Sequence, residues 1–421
     1  MATTKTTVSV RMYNMGFGDA FVVTVRRGRK QWRMLVDCGV HSAGRARPLE
    51  EAVDAIIADL AADSPGGTPH LDVVVATHHH ADHIAGFALD AWEQVAVDEV
   101  WVPFVEDEKD EDVKALRKKQ RATANRLRAL VERRGLKPDE PDSWPDTLGR
   151  AYLLAMNSSG NDRATDRLLH RNRLGFATKP TIRFLPSKTP SENRIDVGIA
   201  DTTVHVLGPP RDPALLKRME PPKKAGWLLL SADDDSNDED RGVRTLFRDE
   251  FVLKAEEMAD HVELSDIGAS LRLEDLDNDA GLLAAAAVLE GAVNNTSIFF
   301  VLEVGDLRLA FPGDSQHGGW EHVLDDPESA ELMRRIDFYK IGHHGSHNGT
   351  SKRYIEEGLK DSVYAMLPFR TVKQWDSIPK EELLEALHDR GHHVIRADAP
   401  KAVRGKVKVK DDLWTEVAFT A

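Results

Sequence analysis

The spacing of apolar and polar residues changes period several times along the chain, and each change marks an element. Residues 8–12 alternate, as a half-buried strand does. A turn at Gly16-Phe17-Gly18-Asp19 leads into a second strand over 20–25, and Arg27-Gly28-Arg29-Lys30 reads as the hairpin turn before a third over 32–36. Over 49–62 the period becomes helical, with Ala52, Val53, Ile56, Ile57 and Leu60 on one face. Residues 71–76 form a short, continuous apolar run, which predicts a strand buried on both faces. A helix over 85–94 and a strand over 99–104 complete a β-α-β unit.

The regularity then breaks. Residues 106–112 are acidic, 113–134 read as a basic helix, and helical spacing continues to about residue 174. Strands resume over 181–185 and 203–207. A second irregular stretch, 211–290, contains the polar tract 233–240, which has nothing to bury and is expected to be a loop. Order returns with strands over 297–304, 307–311, 336–341 and 363–367, a helix over 380–390, a strand over 393–397 and a terminal hairpin over 403–419.

Bulk properties narrow the setting. At 421 residues the chain amounts to two or three domain-sized masses, or one large domain with insertions. Its single cysteine, Cys38, forms no intrachain disulfide, which fits a reducing cytosol. No apolar stretch follows a basic start, so no secretory signal is expected. The longest apolar run, 282–289, is far shorter than the ~20 residues of a membrane span. The net charge of −14 argues against general polyanion binding, so a nucleic-acid substrate requires a local basic groove or masking by cations.

The candidate chemistry sits at strand ends. Thr77-His78-His79-His80-Ala81-Asp82-His83 follows the predicted strand 71–76 and has the pattern His-x-His-x-Asp-His. Residues two apart in extended backbone face the same way, so His78 and His80 suit one cation. Asp82 and His83 diverge and suit a second beside it. Pro312-Gly313-Asp314 follows the strand 307–311, Gly342-His343-His344-Gly345-Ser346 follows 336–341, and Asp37 follows 32–36. The carboxyl ends of strands in a layered α/β protein share one edge, where sites assemble. His343 and His344 both lie just past their strand, and we take His343 as the ligand.

As a set, these motifs resemble the metallo-β-lactamase superfamily, and more narrowly the branch containing the hydrolase domain of the bacterial DNA-uptake channel protein. That likeness is carried by Met15-Gly16-Phe17-Gly18-Asp19, Asp37-Cys38-Gly39, Asn294-Asn295-Thr296-Ser297, Gly313-Asp314 and His343-His344-Gly345-Ser346, over roughly residues 8–104, 180–210 and 292–400. It implies a four-layer α/β/β/α sandwich with segments 105–178 and 211–290 inserted near the site as a lid or partner surface. It also implies two divalent cations, Zn²⁺ or Mn²⁺, bridged by Asp314. His78 and His80 would hold one, and Asp82, His83 and His343 the other. Asp19, Asp37 and Asn295 would support these ligands from behind. Metal-dependent hydrolysis follows: Asp82 orients the attacking water, His344 or His347 supplies a proton to the leaving group, and Ser346 with Asn348 holds a phosphate oxygen.

The implied substrate is a phosphodiester, in a nucleic acid or a nucleotide, in a cytoplasmic protein with no membrane association. The alternatives are a lactone, thioester or amide hydrolase of the same fold, and a regulatory subunit whose insertions recruit a protein partner. One departure from the wider superfamily stands out: Asn294 and Asn295 occupy the neighbourhood where a third histidine is common. An amide oxygen is a weaker ligand, which favours Mn²⁺ over full Zn²⁺ occupancy; the same pair is equally suited to capping the strand.

Three further features have an ordinary reading beside a functional one. The basic stretch from Lys114 to Arg134 and the group Arg163, Arg167, Arg171 and Arg173 could steer a polyanion, or be solvated helix faces. Cys38 reads as a buried inert thiol. Trp375 lines the pocket or packs in the core.

Overall fold

The computed structural model describes residues 5–110, 113–114, 146–158, 161–222, 226–227, 279–375 and 377–421. Strands β1 (Thr6–Tyr13), β2 (Phe21–Arg27), β3 (Lys30–Val36), β4 (His70–Val75), β5 (Ala96–Pro103) and β6 (Thr181–Leu185) belong to one sheet. Strands β7 (Arg194–Asp196), β8 (Thr202–Gly208), β9 (Phe299–Val304), β10 (Leu307–Phe311), β11 (Phe338–Lys340), β12 (Tyr364–Leu367) and β13 (His393–Arg396) form the other. The last two, β14 (Val407–Lys410) and β15 (Trp414–Thr420), return to the first, giving the order β14-β15-β1-β2-β3-β4-β5-β6 against β13-β12-β11-β10-β9-β8-β7. Both sheets are mixed. β3 to β6 run parallel to one another, as do β10 to β13, and the remaining pairs are antiparallel.

Side-chain alternation sorts the core into apolar groups. Val8, Val10 and Met12 of β1, with Val73 and Val75 of β4, pack with Phe300 and Leu302 of β9, so one core joins the two sheets. The opposite face of β4, Leu71 and Val74, packs with Ala52, Val53, Ile56 and Leu60 of the helix Leu49–Ala62. Phe299 and Val301 turn away from the inter-sheet core toward Trp320 and Leu383, on the helices His317–Asp325 and Glu381–Asp389. β4 and β9 are thus buried on both faces, which is why each reads as a near-continuous apolar run. No helix among the described residues is long and apolar enough to cross a membrane.

The structure departs from the sequence expectations in three places. The predicted helix 85–94 is two 3₁₀ turns, Ala85–Ala88 and Asp90–Gln94, after a short helical turn at Ala81–Ile84. Its cause is a tie to the neighbouring loop: Cys38 N–H donates to His83 O and Gly86 N–H to Cys38 O, at 2.7 and 2.8 Å. The predicted strand 336–341 is only three residues long, because Gly342 already begins a turn. The terminal hairpin also does more than close on itself, since β15 pairs with β1 and completes the first sheet. Of the basic stretch 113–134 only residues 113–114 are described, and the tract 233–240 lies outside the described residues.

Candidate metal centre

Parallel strands deliver the polar groups to one edge. β3 ends at Asp37, β4 runs into Thr77–His83, β10 into Gly313–Asp314 and β11 into Gly342–Ser346. The ends of β3 and β4 meet those of β10 and β11 across the two sheets. There Asp82, His83, Asp314 and His344 bring ligand atoms within 4.8 Å of one another, as do His78, His80 and Asp82. All six residues are buried.

Close backbone approach makes this possible. Asp19 N–H donates to Asp82 O at 2.9 Å, and Gly39 N–H to Asp19 O at 3.0 Å. A Cβ on Gly39 would overlap Ala81 O and His83 N, and one on Gly18 would overlap Gly39 O. The glycines of the Met15–Asp19 and Asp37–Gly39 segments therefore let two loops pack main chain to main chain beneath the histidines. Asp37, His343 and His344 hold positive φ values of 58°, 46° and 50°, unusual for residues with a Cβ.

Every converging histidine has its far ring nitrogen held. His83 Nδ1 lies 2.7 Å from Asp37 Oδ2, and His344 Nδ1 lies 2.8 Å from Pro368 O. His78 Nδ1 lies 3.2 Å from both Thr77 Oγ1 and Ser297 Oγ, and His80 Nε2 lies 3.0 Å from Ser158 Oγ. The other nitrogens face inward. His78 Nε2 and His80 Nδ1 are 3.0 Å apart; His83 Nε2 is 3.1 Å from Asp314 Oδ2, and His344 Nε2 is 3.1 Å from Asp82 Oδ2. Such outer contacts orient imidazoles toward a common centre.

The charge balance fits a divalent cation. Asp19, Asp37, Asp82 and Asp314 are buried together, and the one lysine among them in the described residues is Lys340, 2.7 Å from Asp19 Oδ2 and 2.9 Å from Asp314 Oδ1. Burial pushes the Asp82 carboxyl up, but His83 and His344 outweigh it and hold it well below the usual carboxylate range. Burial likewise lowers His83, and Asp314 and Asp37 overcome it, holding the ring well above its ordinary value. These carboxylates demand a positive charge at His83, and a cation on Nε2 meets the same demand as a proton. Burial, followed by the neighbouring His83 and His80, keeps His78 neutral, and burial brings His80 down to about 4. Neutral imidazole is the ligating form. Asp82 Oδ1 is buried without a hydrogen-bond partner among the described residues, an acceptor that a cation or its water would satisfy.

The two adjacent histidines are placed differently from one another. His344, expected as a proton donor, joins the ligand group; His343, expected as a ligand, does not. His343 offers Asp314 Oδ1 its backbone N–H, at 3.1 Å, so its ring is carried outward. There Nε2 lies 3.1 Å from Glu290 and Nδ1 lies 2.7 Å from Ser346 Oγ. Burial lowers His343, yet Glu290 lifts it to about 9. Ser346, expected to hold a phosphate oxygen, is buried and engaged with His343 and with Asn348 Oδ1. His347 pairs with Glu220 at the surface.

Asp37 lies against His83 Nδ1 and Asp19 against Lys340, and Asp19, Asp37 and His83 are themselves close enough to hold a cation, while Asn295 ties neighbouring loops. Its amide donates to Leu216 O and Arg218 O and accepts from Gln316 N–H, which pins the loop after Asp314. Asn294 turns to Glu290 and His343. Arg167 is fully buried on Phe87 O and Gly175 O, and Arg163 and Arg171 pair with Asp90 and Glu108, so these three serve the structure. Burial pushes the Cys38 thiol up, as an inert thiol requires. Half-buried Trp375 stacks on Phe17 at 5.1 Å, and Phe17 lies against His344 at 4.1 Å, so packing and site wall are one structure there.

Sequence reasoning missed Lys340, Glu290, Ser158 and Asn157, whose side chain accepts from Asp82 N–H. Two of these left a signal. Lys340 is the single charge in the apolar run 338–341, and Glu290 is the single charge in the apolar stretch 282–293. A lone charge in a buried element requires a partner. No family model matches the chain, and no curated protein matches it.

Proposed function

We propose that the chain is a binuclear metal-dependent hydrolase of the metallo-β-lactamase type, acting on phosphodiesters. One observation carries this reading: ring nitrogens and carboxylate oxygens from positions 78 to 344 gather, buried, into two groups that share Asp82, each with its ligand atoms within 4.8 Å of one another and every ring held from behind. Three apolar groups, one between the sheets and one on the outer side of each, support the four-layer arrangement that the resemblance implies. His78 and His80 would hold one cation and His83, Asp314 and His344 the other, with Asp82 within reach of both.

Divalent ions bound there would polarise the bond under attack and lower the pKa of a coordinated water. The protein's own groups arrange the rest. Asp82 Oδ1, buried and otherwise unpartnered among the described residues, accepts a hydrogen bond from the attacking water and fixes its direction. Lys340 occupies Asp314 Oδ1, leaving Oδ2 to face the site. His343 stands beside the cluster on Glu290 and would supply the proton to a leaving group, while His344 is committed to Asp82 and Pro368. Asn157, Ser158 and Glu290 come from segments 105–178 and 211–290, which places parts of both against the site. The phosphodiester assignment draws on the likeness of the Met15–Asp19, Asn294–Ser297 and His343–Ser346 segments to the DNA-uptake branch.

The test is to load purified protein in turn with Mn²⁺ and Zn²⁺ and offer single-stranded DNA, duplex DNA, RNA, bis(p-nitrophenyl) phosphate and a lactone. Phosphodiester cleavage that disappears in Asp82→Ala and Asp314→Ala is the expected result. Cleavage of the lactone alone overturns the substrate class, and no turnover with metal bound overturns the enzymatic reading.

A further inference from the structure

The two halves of the cluster are built unequally. Asp82, His83, Asp314 and His344 contribute four ligand atoms, two of them from carboxylates; His78, His80 and Asp82 contribute three, and Asp82 is common to both groups. A hard divalent cation gains more from the half with two anionic oxygens.

The outer contacts differ in the same sense. Asp37 carboxylate and Pro368 carbonyl can only accept, so His83 and His344 donate from Nδ1, and each turns Nε2 toward a carboxylate, Asp314 or Asp82, as the nitrogen that a cation would take. A carboxylate behind an imidazole also makes it a stronger donor to a metal. Among the described residues, His78 Nδ1 and His80 Nε2 meet hydroxyls, those of Thr77, Ser297 and Ser158. A neutral hydroxyl both donates and accepts, so it polarises the ring less and imposes its tautomer less firmly. Lys340 and the His343 backbone N–H hold Asp314 Oδ1, which adds rigidity to the four-ligand half alone.

We infer that the cluster fills in order: the Asp82–His83–Asp314–His344 half keeps one divalent cation tightly, and the His78–His80–Asp82 half takes a second that exchanges with solvent. This rests on the metal-binding reading above. Its consequence is regulatory. The first ion belongs to the resting protein, and occupancy of the second tracks the free metal concentration.

Calorimetric titration of chelator-stripped protein with Zn²⁺, with metal counted after desalting, tests the order. Two transitions separated by about tenfold or more, the scale on which outer contacts tune metal affinity, and one ion retained per chain are expected. His80→Ala should remove the weak transition and keep the retained ion, and His344→Ala should lose the retained ion. Two ions bound with equal affinity, or a retained ion lost in His80→Ala and kept in His344→Ala, would overturn the order while leaving metal binding intact. No ion bound at all would sink the metal reading itself. The wild-type titration decides the first point even if a variant fails to fold.

Discussion

Asp37 Oδ2 lies 2.7 Å from His83 Nδ1, and the other oxygen of that carboxylate receives the Thr77 N–H at 2.7 Å. One side chain at the end of β3 thus fixes both the tautomer of a candidate ligand and the start of the loop that carries four histidines. Asp37→Asn keeps the shape and removes the charge. We expect Zn²⁺ affinity to fall about 10–100-fold, with the circular dichroism spectrum unchanged. Unaltered affinity would mean that Asp37 serves the loop and not the metal.

Gly39 sits where a Cβ would overlap Ala81 O and His83 N. Gly39→Ala must displace the Ala81–His83 backbone that carries Asp82 and His83. Overpacking of this kind costs about 1–3 kcal/mol in a well-packed region. The larger consequence is expected in retained metal, which should be lost from the folded variant; full metal content by elemental analysis would contradict it.

With no cation bound, four carboxylates lie buried with Lys340 as their one lysine partner among the described residues. A cation present at a hundred times its dissociation constant stabilises the native state by about 2.7 kcal/mol. The thermal midpoint should therefore drop with a chelator and recover when Zn²⁺ or Mn²⁺ is returned. A midpoint indifferent to chelation would argue against a structural share for the ion.

Far from the site, Arg183 on β6 holds Glu99 on β5 through two contacts, at 2.7 and 2.8 Å. Burial raises this carboxyl, but the Arg183 and Trp101 hydrogen bonds prevail and place it below its ordinary 4.5. A depressed carboxyl stabilises the fold fully above the unfolded value and loses that contribution as pH falls through the folded one. Glu99→Gln should cost about 0.5–1 kcal/mol at neutral pH and nothing once acid has protonated the wild type. Denaturation midpoints at pH 7 and below pH 4 would show whether the difference vanishes.

Much of this protein was legible without coordinates, and the reason is period. Alternation in β1 and continuity in β4 and β9 follow from one or two buried faces, which are local properties of a pleated strand. His78, His80, Asp82, His83 and Asp314 stood out because bare ligand types recur just past such strands. What the chain did not disclose was direction at single residues. His343 and His344 are neighbours of one kind, and only the left-handed backbone at both decides that His344 turns inward while the His343 ring is carried to Glu290.

Partners distant in the chain were hidden for the same reason. Ser158 behind His80, Lys340 between Asp19 and Asp314, and Pro368 behind His344 lie in no shared local pattern. The sequence by itself determined which side chains are chemically able to hold a cation and that they sit at strand ends. The tertiary structure decided which of them meet, because convergence depends on how two sheets pack and on main-chain angles that no spacing rule encodes.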